Sequence, residues 1–216
     1  MSMYLTKSSH YEFANHFWEI NNKPSGCYTP MLKSMCQQLF NMHSHYARLH
    51  VFRFDLRQPT FTETNKRITT FMRRVSRRLK AKYKLKDVAY FWAREHETAQ
   101  GQHYHFVLFI DGKAVNYSQN ISAICESVWQ DMGGSYWRVE NGFYNCHRND
   151  ETTLAAIIYR ISYLAKGRSK YHKPKQTKNY GPSKIKHKEA TPSKPACPKK
   201  IKVKKARLAK SMKNAA

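Results

Sequence analysis

The stretch Val88–Asp111, VAYFWAREHETAQGQHYHFVLFID, constrains the fold of this chain more than any other. Two runs rich in aromatic and β-branched residues, one reaching Trp92 and one from Tyr104 to Ile110, flank a short polar turn at 98–102 and predict a β-hairpin. Side chains alternate along a strand, so His103 and His105 leave one face while Tyr104, Phe106, Leu108 and Ile110 leave the other. A strand with one wholly apolar face belongs in the middle of a sheet. The first strand ends in Arg94-Glu95-His96-Glu97, which a hairpin brings beside the two histidines.

Two imidazoles one pleat apart on a rigid strand are a ready pair of metal ligands, and a carboxylate from the neighbouring strand would be a third. Register decides which: Glu95 and Glu97 share a face, with His96 on the other. An H-x-H pair also arises easily by accident in a chain with 11 histidines among 216 residues. A second pair, His43-Ser44-His45, lies in a segment of helical periodicity, where residues two apart diverge, and is set aside as a site.

The formal charge of +25 draws polyanions, nucleic acid before anionic membrane. No apolar run approaches the roughly 18 residues of a membrane span, and the first residues lack the basic start and apolar block of a secretory signal. The five cysteines are scattered without C-x-x-C spacing, which predicts reduced thiols in a cytoplasmic protein, with Cys125 in the core.

The remaining chain divides by texture. Tyr11, Phe13, Phe17, Trp18 and Ile20 suggest one short helix, broken at 21–26, and Leu32, Met35, Cys36, Leu39 and Met42 predict another from Met31 to Leu49. These make an N-terminal helical segment, 1–47, packed on the domain that follows. His50–Leu56 alternates as a strand. Thr60-Phe61-Thr62-Glu63 has the capping-box pattern for a helix whose buried stripe is Ile68, Phe71, Met72, Val75 and Leu79. Its other positions carry Arg67, Arg73, Arg74, Arg77 and Arg78, a solvated basic face or a phosphate-binding one. After the hairpin come a helix over 116–132 stopped by Gly133-Gly134, a short strand at 136–140, a loop or unfixed strand at 143–149, and a helix over 151–166. Residues 168–216 hold 17 Lys+Arg against one acid and five of the eight prolines, which predicts a disordered basic tail carrying +16 of the charge and leaving +9 on the folded part.

The last helix holds a second group. Leu154, Ile157, Ile158, Ile161, Leu164 and Ala165 form its buried stripe, and Tyr159, Tyr163 and Lys166 collect on the opposite side. Tyr and Lys on a polar helix face are common and Y-x-x-K is a short pattern. Three residues apart, though, hydroxyl and ammonium can approach, and a phenol of pKa about 10 needs such a cation to become a nucleophile at neutral pH.

The order of these parts resembles the HUH endonucleases, rolling-circle initiators and relaxases, and within them the replication proteins of filamentous phages and their prophage-encoded relatives. The residues that carry the likeness are FRFD at 52–55, WAREHE at 92–97, GQHYHFVLFIDG at 101–112 and SYLAKG at 162–167, over about residues 48–167. The resemblance implies that His103 and His105 bind one divalent metal, completed by Glu95 in preference to Glu97; an open site for phosphate suits Mg²⁺ or Mn²⁺ better than zinc, which the His pair alone would also allow. It implies that Tyr163 attacks a scissile phosphate of single-stranded DNA with help from Lys166, and that Tyr159 is the candidate for a second nucleophile, although Ser162 stands where its own lysine would be. Asp55 would support the sheet or the DNA, and Arg94 would join the α-helical arginines in DNA contact. The expected fold is α+β, a four- or five-stranded, mostly antiparallel sheet with helices packed on it. The expected partners are single-stranded DNA or an origin hairpin and host replication machinery, without membrane. A DNA-binding prophage regulatory protein that does not nick, and a basic RNA-binding protein with chance motifs, are the rivals.

Overall fold

The computed structural model describes residues 4–98, 101–167 and 178–189, with the main chain alone at 96–98. The chain opens with β1 (Leu5–Thr6), β2 (His10–Phe13), β3 (His16–Glu19) and β4 (Cys27–Tyr28). The helix expected over 11–20 is instead the β2–β3 hairpin, with Tyr11 opposite Trp18. Its two-residue turn is Ala14-Asn15, both left-handed at φ 55° and 61°, the geometry that matches strand twist. The apolar residues at 11, 13, 18 and 20 obey a period of two on either side of that turn.

α1 (Thr29–His45) carries Pro30 in its first turn and buries the stripe that its periodicity predicted. β5 (Arg48–Gln58) leads to α2 (Lys66–Tyr83), whose buried residues are the five expected. The capping box does not form: the helix begins after Asn65, and Thr62 Oγ1 instead meets the Gln102 side chain at 3.2 Å. β6 (Ala89–Thr98) and β7 (Gly101–Asp111) are the predicted hairpin, and residues 99 and 100 of its turn lie outside the described residues. α3 (Gln119–Gln130) follows, and then β8 (Ser135–His147) is one strand of 13 residues where the sequence suggested two pieces. Four residues, 139–142, bulge out of it opposite Arg53, with Asn141 left-handed at φ 49°. A side chain at Gly142 would meet Arg53 O at 2.8 Å, so that position needs glycine. α4 (Glu151–Ser162) is capped by Asp150, whose Oδ1 accepts from Thr153 N at 3.0 Å, and runs into a 3₁₀ turn at Tyr163–Ala165.

The final strand, β9 (Tyr180–Pro182), corrects the reading of everything after Gly167 as a disordered tail. It pairs with β6, and the residues after it follow α1: Asn41 Nδ2 donates to Ile185 O at 2.6 Å, and Lys188 N donates to Ser44 Oγ at 2.8 Å. The other tail residues, 168–177 and 190–216, lie outside the described residues.

The five strands form one sheet in the order β8-β5-β7-β6-β9, every pair antiparallel, with the H-x-H strand β7 at the centre. Helices cover both faces. Phe52, Phe54, Tyr104, Phe106 and Leu108 pack with α2 and α3 on the far face. Val51, Ala89, Phe91, Val107 and Phe109 pack with α1, α4 and the N-terminal strands on the near face.

Candidate active site

The near face changes character along the strands. Alternate positions of β5 read Val51, Arg53, Asp55 and Arg57, and those of β7 read Phe109, Val107, His105 and His103. One end is therefore apolar core and the other is polar, with no change in backbone geometry. Register sets the polar rows: Asp55 pairs with His105, and His103 lies between Arg57 and Glu95.

His105 is 8% exposed and held between two carboxylates. Its Nδ1 lies 2.8 Å from Asp55 Oδ1, an ion-pair contact rather than an aligned hydrogen bond, and its Nε2 lies 3.1 Å from Glu95 Oε2. Burial works against a charged ring, but the two acids outweigh it and raise the imidazole pKa above the ordinary histidine value. Arg53, 7% exposed, sits 3.7 Å from Asp55 Oδ2. Its own pKa is lowered from the arginine norm by burial, which Asp55 opposes.

Tyr163 reaches this cluster because α4 tightens into the 3₁₀ turn. The aliphatic stripe of α4 buries itself in one core with α1, which frees the tyrosine to turn toward the sheet. The phenol ring meets His105 edge-on, centroids 5.5 Å apart. The Arg53 guanidinium carbon and Lys166 Nζ each lie 4.6 Å from its centre. The turn is anchored by buried Leu164 and Ala165, and by Gly167 N donating to Gly26 O at 3.0 Å. Any side chain at Gly167 would meet Ser25 O at 2.8 Å. Ser162, in the place where the second tyrosine's lysine would stand, instead takes a hydrogen bond from Asn21 N at 2.8 Å and is fully buried. Beside Tyr163 opens a cleft of about 670 Å³, lined by Arg53, Val139, Tyr144, Tyr159, Arg160 and Glu19 among others.

Of the residues singled out in the sequence, Tyr163, Lys166, His105, Glu95 and Asp55 thus converge. His103 shares their face, opposite Glu95. Tyr159 stands at the cleft, 43% exposed, and nothing is described of the Glu97 side chain. The arginines of α2 belong to the opposite layer. Arg67 stacks on Trp129 and donates to Met132 O, Arg78 pairs with Asp131 at 3.5 Å, and Arg73, Arg74 and Arg77 are exposed. Arg94, named as a DNA contact, is 3% exposed on the far face, opposite Tyr104, and donates to Asn179 Oδ1 at 3.2 Å. Sequence reasoning missed Arg53 as a site residue. The available signal was its parity with Asp55 in FRFD, a guanidinium on the side of a strand that the sheet buries.

As the side chains lie, no group of three or more His, Cys, Asp or Glu could hold a metal ion among the described residues. The donor chemistry nevertheless fits one. Asp55 against Nδ1 is the carboxylate that orients a ligating imidazole, and it leaves Nε2 on the side of Glu95.

Fold and site together define an α+β domain built on an antiparallel sheet, with a half-buried tyrosine set against a buried histidine and its carboxylates on one face. The chain belongs to the YagK/YfjJ C-terminal domain family, whose model matches residues 10–183, from the β2–β3 hairpin to β9. No curated protein and no solved structure matches it.

Proposed function

We propose that this domain cuts and rejoins single-stranded DNA through Tyr163, as an HUH-type initiator of rolling-circle replication of a phage or prophage element in the bacterial cytoplasm. One observation carries the reading: a phenol on the last helical turn and an imidazole on the central strand meet at 5.5 Å, with two cations against the ring.

In the proposed reaction the Tyr163 oxygen loses its proton and attacks phosphorus. The phosphorus–O3′ bond breaks and the 3′ oxygen takes up a proton. A 5′-phosphotyrosine and a free 3′-OH result, and because the bond energy is kept, the strand can be resealed. Arg53 and Lys166 favour the phenolate and balance charge gathering on the phosphate. Asp55 fixes the His105 ring. Glu95, His103 and His105 would hold Mg²⁺ or Mn²⁺, which supplies Lewis-acid polarisation of the phosphate when bound. The charge of +25 supports a nucleic-acid partner, and no described helix is long and apolar enough to cross a membrane.

A second reading, a DNA-binding prophage regulatory protein that does not nick, is favoured by one fact: both His105 nitrogens are already engaged by carboxylates, as in a structural ion pair. The two readings separate on single-stranded oligonucleotides tiling the DNA around the coding sequence, incubated with Mn²⁺. The nicking reading expects a covalent adduct in the wild type, none in Tyr163→Phe, and loss of cleavage with binding retained in His103→Ala. DNA binding without an adduct on any oligonucleotide favours the regulator.

A further inference from the structure

Two aromatic side chains flank the polar cluster without joining the core. Trp137 is 72% exposed, and its register opposite Asp55 sets it on the same sheet face as His105. Tyr159 is 43% exposed at the cleft. Both stand beside the polar group: Trp137 pairs across from Asp55, and Tyr159 lines the cleft together with Arg53 and Tyr163. A large aromatic surface left in water forfeits its burial energy, and two such residues on one face leave room for ligands with flat rings.

The cleft supplies the matching cations. Arg53 and Arg160 both line it, and the charge of Arg160 lowers the pKa of Arg53, so the two guanidiniums repel across it. Among the described residues, the Nε atoms of both are buried without a hydrogen-bond partner. An anion in the cleft would offset that repulsion. A phosphodiester with a base on each side presents that pattern: negative charge at the arginines, flat rings at the aromatics.

We propose that the near face is a track for single-stranded DNA in which one base stacks on Tyr159 in the cleft, its phosphate between Arg53 and Arg160, and a base beyond Tyr163 stacks on Trp137. Tyr159 is then a binding residue and not a second nucleophile, which agrees with the burial of Ser162 where a partner lysine would stand. The placement of the track beside Tyr163 rests on the nicking reading; the stacking itself does not.

The test uses the full chain with a short fluorescent oligothymidylate and an abasic oligomer of the same length, which has the same charge but no bases. The wild type should prefer the oligothymidylate. Trp137→Ala and Tyr159→Ala should each weaken it about fivefold to a hundredfold and leave abasic binding unchanged, while Trp137→Phe and Tyr159→Phe stay near wild type. Arg160→Met should weaken both probes. Both aromatic positions are exposed, so the alanine variants should fold, which circular dichroism checks. Equal wild-type affinity for the two probes, or alanine variants that lose nothing, overturns the track. An adduct in the nicking assay that needs the Tyr159 hydroxyl overturns the assignment of that residue. Ring-dependent binding without any adduct leaves the track standing and removes the nicking reading; an adduct with ring-independent binding does the reverse.

Discussion

The two faces of the sheet are made by the same strands and serve opposite ends. On the far face the strands meet α2 and α3 through aromatic packing: Phe54 stacks on Phe106 at 5.3 Å, and Phe71 meets Phe106 and Trp129 edge-on at 5.5 and 5.3 Å. The near face gives up half its length to Arg53, Asp55, Glu95 and His105, all but Asp55 nearly as inaccessible as the far-face rings. A buried charge contributes little to stability even when paired, whereas a buried ring contributes about 1.5–3 kcal/mol relative to leaving it exposed. The difference teaches that the far layer is core along its whole length, while the near layer keeps core at one end and spends stability on a poised group of charges at the other, as functional sites do.

The largest expected effect tests the far layer. Phe106→Ala should cost about 3–5 kcal/mol in urea unfolding by leaving a cavity between Phe54 and Phe71. Asp55→Asn on the near face should cost about 1–2 kcal/mol and, on the proposed nicking reading, lose DNA adduct formation entirely. If it destabilises as much as Phe106→Ala, the division of labour between the faces is wrong.

A smaller effect contrasts two histidines by pH. His105 has its pKa raised by Asp55 and Glu95, so the stability it adds is complete below about pH 6.5 and is lost as pH rises through its folded value. His43 in α1 has its pKa lowered to about 4 by burial and by Arg148. Its contribution is present above about pH 6.5 and is lost as pH falls toward 4. Urea midpoints across pH should therefore fall on both sides, with His43→Leu flattening the acid limb and His105→Gln the upper one. Opposite assignments of the limbs would show that the ion pairs of His105 do not persist in solution.

The smallest effect is expected at Arg73, Arg74 and Arg77. Exposed on the layer away from Tyr163, their alanine variants should shift stability by less than about 0.5 kcal/mol and leave ring-dependent DNA binding intact. A loss of that binding would move the DNA to the other side of the sheet.

What could be read in advance was whatever periodicity alone decides. The stripe of α2, the hairpin with its apolar far face, the central place of β7 and the stripe of α4 all follow from spacings of two or 3.6. Three features hide from such spacing. The β2–β3 turn uses Ala14-Asn15 rather than a glycine pair, so no turn signal marks it. β8 looks like two fragments because the bulge at 139–142 shifts its phase midway. β9 is three residues of Tyr-Gly-Pro within a lysine-rich stretch, and only its pairing with β6 makes it a strand. The site was half visible for a similar reason. The pattern grouped Tyr163 with Lys166 and His103 with His105, but that they meet depends on a helix tightening at its last turn. Arg53 and Asp55 gained meaning only from cross-strand register.

β9 has a bearing on how the protein can be handled. It covers the outer hydrogen-bonding edge of β6 at Phe91–Ala93, and without it those amides and carbonyls would face outward in an apolar strand. Chains cut before residue 180 would be prone to zip together edge to edge, so a shortened version that precipitates would say nothing about whether the cluster around His105 is sound.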